Sequence, residues 1–135
     1  MPSTPPDAVL IRTTEDVVKV RQIVRSKAAE IGLGIVDQTK IVTAASELAR
    51  NTLDYGGGGE MQVNLLVEGG RKGLRLTFQD EGPGIADVEQ AMSDGFTSGG
   101  GLGLGLGGAT RLSNEFKIES APGKGTRVTI ARWKL

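Results

Sequence analysis

Cysteine is absent from this 135-residue chain. That removes disulfides, thiolate catalysis and Cys-ligated zinc or iron–sulfur centres. Histidine is absent too, and with it the usual general base and the commonest transition-metal ligand. Chemistry on this chain must therefore run on carboxylates, amides, hydroxyls and backbone, with a hard oxygen-liganded ion such as Mg²⁺ still compatible. No stretch approaches the ~18 consecutive apolar residues of a membrane span, and MPSTPPDAV has neither a charged n-region nor an apolar h-region, so a cytoplasmic protein is expected. Net charge is missing as well: 16 basic residues balance 16 acidic ones. No global field exists to hold nucleic acid or an anionic membrane. What is abundant is glycine, 21 residues, about twice the usual share of ~7%.

The length fits one domain spanning residues 1–135, and the 38% apolar content can supply one core. AVLIR at 8–12 suits a first strand. Val17, Val20, Val24, Ala28 and Ile31, with the stem of Lys27, recur at helical spacing, predicting a helix over about 14–31 that stops at Gly32. Asp37 is the expected N-cap of a second helix over about 38–55, ended by GGGGE. MQVNLLVEG and GLRLTFQD alternate as strands around a GGRKG turn. DVEQAMSDG reads as a short helical piece, and GGATRLSNEF as a helix from about 105. NEFKIESA and GTRVTIARW close the chain as strands joined by PGKG. The order β–α–α–β–β–(α)–α–β–β describes an α+β fold, with helices on one face of a mainly antiparallel sheet.

Four stretches could carry chemistry. In SELARN, Glu47 and Asn51 stand at i and i+4 on one edge of the apolar stripe Ile41, Ala44, Ala45, Leu48, where a cleft wall would lie. DEGPGIAD follows a strand directly, placing Asp80 at the strand's end before a stiff loop in which Gly82 and Gly84 flank Pro83. In FTSGGGLGLGLGG, Gly103, Gly105 and Gly108 satisfy G-x-G-x-x-G and lead into a helix, an arrangement able to hold an anion. No strand precedes that run, so the dinucleotide fingerprint fails on context, and GKGT at 123–126 is not a Walker A loop. Leu102, Leu104 and Leu106 between the glycines also argue against a polar tether. The fourth, PGKGTRVTI, is a hairpin turn that leaves open whether Thr126 faces the site.

Taken in order, these pieces resemble the ATP-binding domain shared by gyrase, Hsp90, histidine kinases and MutL, the GHKL superfamily. E-x-x-x-N looks like its N-box, DEGPGI its G1 box, GGGLGLGLGGATRL its G2 box and GKGT its closing glycine–threonine motif. The likeness covers the chain from about residue 37. Within the superfamily, SELARN, DEGPGI and the short segment between G1 and G2 look most like the anti-sigma-factor serine/threonine kinases, above all the RsbT-type switch kinases.

The resemblance implies a Bergerat fold, a two-layer α/β sandwich with a mixed, mainly antiparallel sheet. It implies a kinase using ATP and Mg²⁺ to phosphorylate a STAS-domain antagonist in a partner-switching stress cascade. A PP2C-type phosphatase activated by docking, or a sigma factor, would be a further partner. The alternative is an anti-sigma factor or non-catalytic ATP-binding docking module. By the same resemblance, Asp80 accepts from the adenine amino group, while Gly82, Gly84 and Ile85 close on the base and Thr126 sits beside Asp80. Asn51 ligates Mg²⁺, Glu47 orients or deprotonates the attacking hydroxyl, and Gly101, Leu102, Gly103, Leu104 and Gly105 wrap the phosphates. Asp54 and Tyr55 stand where sensor histidine kinases often carry a basic residue. No cation follows from spacing for the γ-phosphate; Arg50, Arg111 and Lys124 are candidates.

Overall fold

The computed structural model describes residues 7–85 and 106–134. Helix α1 (Thr14–Glu30) starts on a reciprocal cap. Thr13 Oγ1 accepts from the Asp16 N–H at 3.2 Å, and Asp16 Oδ2 accepts from the N–H groups of Thr13 at 3.1 Å and Arg12 at 2.8 Å. The Arg12 amide, more than any other group, holds the Asp16 carboxyl below its ordinary range. Val17, Val20, Val24 and Ala28 bury the predicted stripe.

Helix α2 (Ile35–Asp54) begins three residues earlier than Asp37 would have set it, with Gly34 as an N-cap that makes no side-chain bond. Asp37 is engaged elsewhere. Its Oδ1 accepts from Arg132 Nη2 at 2.7 Å, while Arg132 Nη1 donates to Leu112 O at 2.9 Å. One largely buried guanidinium thus ties the start of α2 to the last strand and to the end of helix α3 (Leu106–Arg111). Its Nε is buried without a partner among the described residues, so the clamp has little redundancy. Asp37→Ala should lower stability by about 1–3 kcal/mol in urea unfolding, the range for a hydrogen bond to a charged group left unmade. A loss below about 0.5 kcal/mol, typical of a surface substitution, would contradict this role.

The five strands are β1 (Asp7–Ile11), β2 (Gly59–Glu68), β3 (Arg71–Asp80), β4 (Glu115–Ser120) and β5 (Thr126–Trp133). They form one sheet in the order β1-β2-β3-β5-β4, and every pairing among the described residues is antiparallel, so none of them is mixed. The β2–β3 turn is tighter than GGRKG suggested: Glu68 pairs with Arg71, and only Gly69 and Gly70, both at positive φ, lie between. The period of two sends Met61, Val63, Leu74, Leu76, Phe78, Val128 and Ile130 to the face covered by the helices. Gln62, Asn64, Arg75, Thr77, Arg127 and Thr129 line a broad groove on the opposite face. This is the α+β two-layer arrangement expected, with the expected element order. The DVEQAMSDG piece lies outside the described residues. None of the described helices is long and apolar enough to cross a membrane.

Candidate functional site

Asp80 ends β3 on the same face as Leu76 and Phe78, because strand alternation sends every second side chain towards the helices. A carboxylate thus enters the edge of the core. Its Oδ1 accepts the Gly82 N–H at 2.9 Å, which folds the DEGPGI loop around it. Burial pushes the Asp80 carboxyl above the usual range, while the backbone N–H groups of Gly82 and Thr126 pull it the other way. Space for the carboxylate is made by Gly56, just past the end of α2: a Cβ there would collide with the Asp80 carboxyl carbon and oxygen.

The carboxylate opens into a pocket of about 340 Å³ including its mouth. Leu48, Phe78, Ile85 and Val128 supply apolar walls, and Asn51, Thr52, Tyr55, Asp80 and Thr126 add polar groups. A mostly apolar slot with a few convergent polar atoms is the usual form of a small-molecule site. Thr126 pairs directly with Asp80 across β3 and β5, so both point to one face, and Thr126 faces the site. Asn51 stands half-buried in the wall. Glu47, one turn earlier on α2, is exposed rather than at the half-buried edge its spacing suggested.

The floor under Asp80 is fastened from two sides. Tyr55 Oη donates to Gly84 O at 2.8 Å, linking the end of α2 to the loop. From the β4–β5 hairpin, the Gly123 N–H donates to Pro83 O at 2.8 Å, and Ser120 Oγ accepts from the Ile85 N–H at 2.8 Å. Gly84 has φ +77°, and a Cβ on it would run into the Ala121 carbonyl, so only glycine lets the loop lie this close to the hairpin.

Four of the expected residues therefore line one pocket, namely Asn51, Asp80, Ile85 and Thr126, with Gly82 bonded to the Asp80 carboxylate and Gly84 supporting the loop from behind. Gly101, Leu102, Gly103, Leu104 and Gly105 lie outside the described residues. Arg50, Arg111 and Lys124 are exposed and none lines this pocket. Three groups were not anticipated: Gly56, Tyr55 and Ser120. The GGGGE tract had signalled only a helix end, and nothing local marks Ser120, because each acts through a partner far away in sequence. The donor set suits the groups implied. One carboxylate in an apolar slot suits an amine-bearing base. The single amide oxygen of Asn51, with no cluster of three acidic residues among those described, suits Mg²⁺ held mainly by its substrate's phosphates.

Comparison with known proteins agrees with this geometry. The family model described as histidine kinase-, DNA gyrase B- and HSP90-like ATPase matches residues 36–135. The serine/threonine-protein kinase RsbT of Bacillus subtilis (strain 168) is 46% identical over 125 residues, covering 93% of this chain and 94% of that protein. An anti-sigma F factor of Thermoanaerobacter sp. (strain X514) is 30% identical, covering 84% and 82%. One of Clostridium novyi (strain NT) is 31% identical, covering 70% and 69%. With its four motifs in order, a helix-backed antiparallel sheet and a buried aspartate at a strand end, the chain belongs to the family of histidine kinase-, DNA gyrase B- and HSP90-like ATPases.

Proposed function

We propose that this protein is an ATP-dependent protein serine/threonine kinase of a bacterial partner-switching cascade, transferring the γ-phosphoryl group to a serine or threonine of a STAS-domain antagonist. The observation that carries this reading is the placement of Glu47. It stands in solvent one helical turn from Asn51 in the pocket wall, where another protein's hydroxyl can reach it. Asp80 accepts from the adenine amino group, with Thr126 beside it, while Ile85 and the loop built on Gly82 and Gly84 close on the base. The Asn51 amide oxygen would hold Mg²⁺, which would supply charge neutralisation on the phosphates. Gly101 to Gly105 provide backbone N–H groups for those phosphates.

Glu47 takes the proton from the acceptor hydroxyl as its oxygen bonds to the γ-phosphorus, and the bond to the ADP oxygen breaks. Phosphoryl transfer asks little more of a protein than positioning and charge stabilisation, which fits a chain without histidine or cysteine. The reading includes a single domain over residues 1–135, a cytoplasmic location and a PP2C-type phosphatase as a docking partner. Incubation with γ-labelled ATP and a STAS-domain protein tests it; ATP binding without any transfer would overturn it.

A second reading is supported by the anti-sigma F factor relatives: a docking module whose bound ATP serves to sequester a sigma factor. Co-purification with a sigma factor, unaffected by Glu47→Ala, would favour it.

The close approach at Gly56 gives an independent handle on the nucleotide site. Gly56→Ala forces the Asp80 carboxylate from its place and should weaken ATP binding about 10-fold or more by calorimetry, the cost of one misplaced charged hydrogen bond. Unchanged affinity would show that Asp80 does not hold the base.

A further inference from the structure

We propose that Ser120 is a positioning residue that fixes the direction of the Thr126 hydroxyl, leaving Thr126 and Asp80 as paired acceptors at one side of the base pocket so that it takes a 6-aminopurine and rejects a 6-oxopurine. The inference rests on the nucleotide-binding reading above and deepens it. Ser120 Oγ has three neighbours: the Ile85 N–H at 2.8 Å, the Gly125 carbonyl at 3.0 Å and Thr126 Oγ1 at 2.8 Å. A hydroxyl has one hydrogen to give and two lone pairs to accept with. The Ile85 amide can only donate and the Gly125 carbonyl can only accept. Gly125 is buried, so its carbonyl is costly to leave unpaired. Ser120 therefore gives its hydrogen to Gly125 and receives one from Thr126. All three contacts are satisfied in this one arrangement.

The consequence falls on the pocket. Once the Thr126 hydrogen is committed to Ser120, its oxygen has only lone pairs to offer. Thr126 is the cross-strand partner of Asp80 and lines the same pocket. Two acceptors then stand side by side. An exocyclic amine can donate to them, whereas a ring carbonyl at the same position meets lone pairs with no hydrogen between. Without Ser120, the Thr126 hydroxyl is free to turn and donate. Ser120 has no place of its own in the pocket lining, so it would act through Thr126.

The experiment compares ATP with inosine triphosphate, which carries a 6-oxo group on the same sugar and phosphates. Affinities of both are measured by calorimetry at one neutral pH, where the 6-oxopurine base keeps its N1 proton, for the wild type, Ser120→Ala and Ser120→Thr. The wild type should prefer ATP by about 100-fold or more, and Ser120→Ala should narrow that ratio about 10-fold, the worth of one hydrogen bond made or opposed. Ser120→Thr, which keeps the hydroxyl, should restore it. If Ser120 merely props the loop through Ile85, both nucleotides will weaken together and the ratio will hold, which overturns the proposal. Should either Ser120 variant fail to fold by circular dichroism, Thr126→Val removes the same oriented oxygen. A ratio it leaves unchanged would be equally fatal. A wild type that binds neither nucleotide would refute the underlying site; one that binds ATP with an unmoved ratio refutes only the role of Ser120.

Discussion

Glu47→Ala should leave ATP affinity within about threefold of wild type while lowering phosphoryl transfer by about 10²–10⁴-fold, the span of a positioned general base. The split follows from placement. Glu47 is exposed on α2 and is not part of the pocket lining, so its removal takes away no contact with the base. Single-turnover transfer and equilibrium binding, measured on the same preparation, separate the two quantities. Parallel losses in both would mean that Glu47 supports the bound nucleotide rather than the acceptor hydroxyl. Unchanged transfer would remove Glu47 from the mechanism.

Asp80→Asn should reduce ATP affinity by about 100-fold without lowering the stability of the unliganded protein. The substituted amide can still accept the Gly82 N–H, so the loop keeps its anchor. Yet the asparagine NH₂ group then turns a donor towards the adenine amine. Loss of a charged hydrogen bond, worth about 1.5–3 kcal/mol, combines with that donor–donor mismatch. The stability half depends on the direction of the Asp80 shift. Its folded-state pKa is raised, chiefly by desolvation, so the folded protein binds this proton more tightly than the unfolded chain does. Its ionisation therefore costs stability as pH rises through the ordinary and then the raised value, and the cost persists at neutral pH. Asparagine carries no such cost. A urea midpoint at neutral pH equal to or above that of wild type is expected, and a lower one would show that the buried carboxylate is structural. A site that keeps a destabilising charge is a common mark of function.

Much of this was legible in the chain because the informative spacings are local. Glu47 and Asn51 share one side of α2 by helical period, and Asp80 reaches the strand's end by the period of two. The apolar stripe of α1 was readable for the same reason. What escaped depends on partners brought close only by folding. Asp37 looks like a helix cap until Arg132, 95 residues later, claims it. Gly56 looks like punctuation until the sheet brings Asp80 against it. Ser120 alternates like any edge-strand residue, and its significance comes from Ile85, 35 residues earlier, and from Thr126 across the hairpin. Tyr55 read as a departure from the sensor-kinase pattern, yet its hydroxyl ties α2 to the Gly84 carbonyl. Side chains that present themselves to a ligand left local signals, and those that hold others in place did not.

The central claim is that this protein moves a phosphoryl group from ATP to another protein. The most direct measurement is phosphoamino-acid analysis of a STAS-domain protein after incubation with this protein, γ-labelled ATP and Mg²⁺. The account predicts label on a serine or threonine of that protein, dependent on Glu47. Release of labelled phosphate with no labelled protein, or label that accumulates equally with Glu47→Ala, would contradict it.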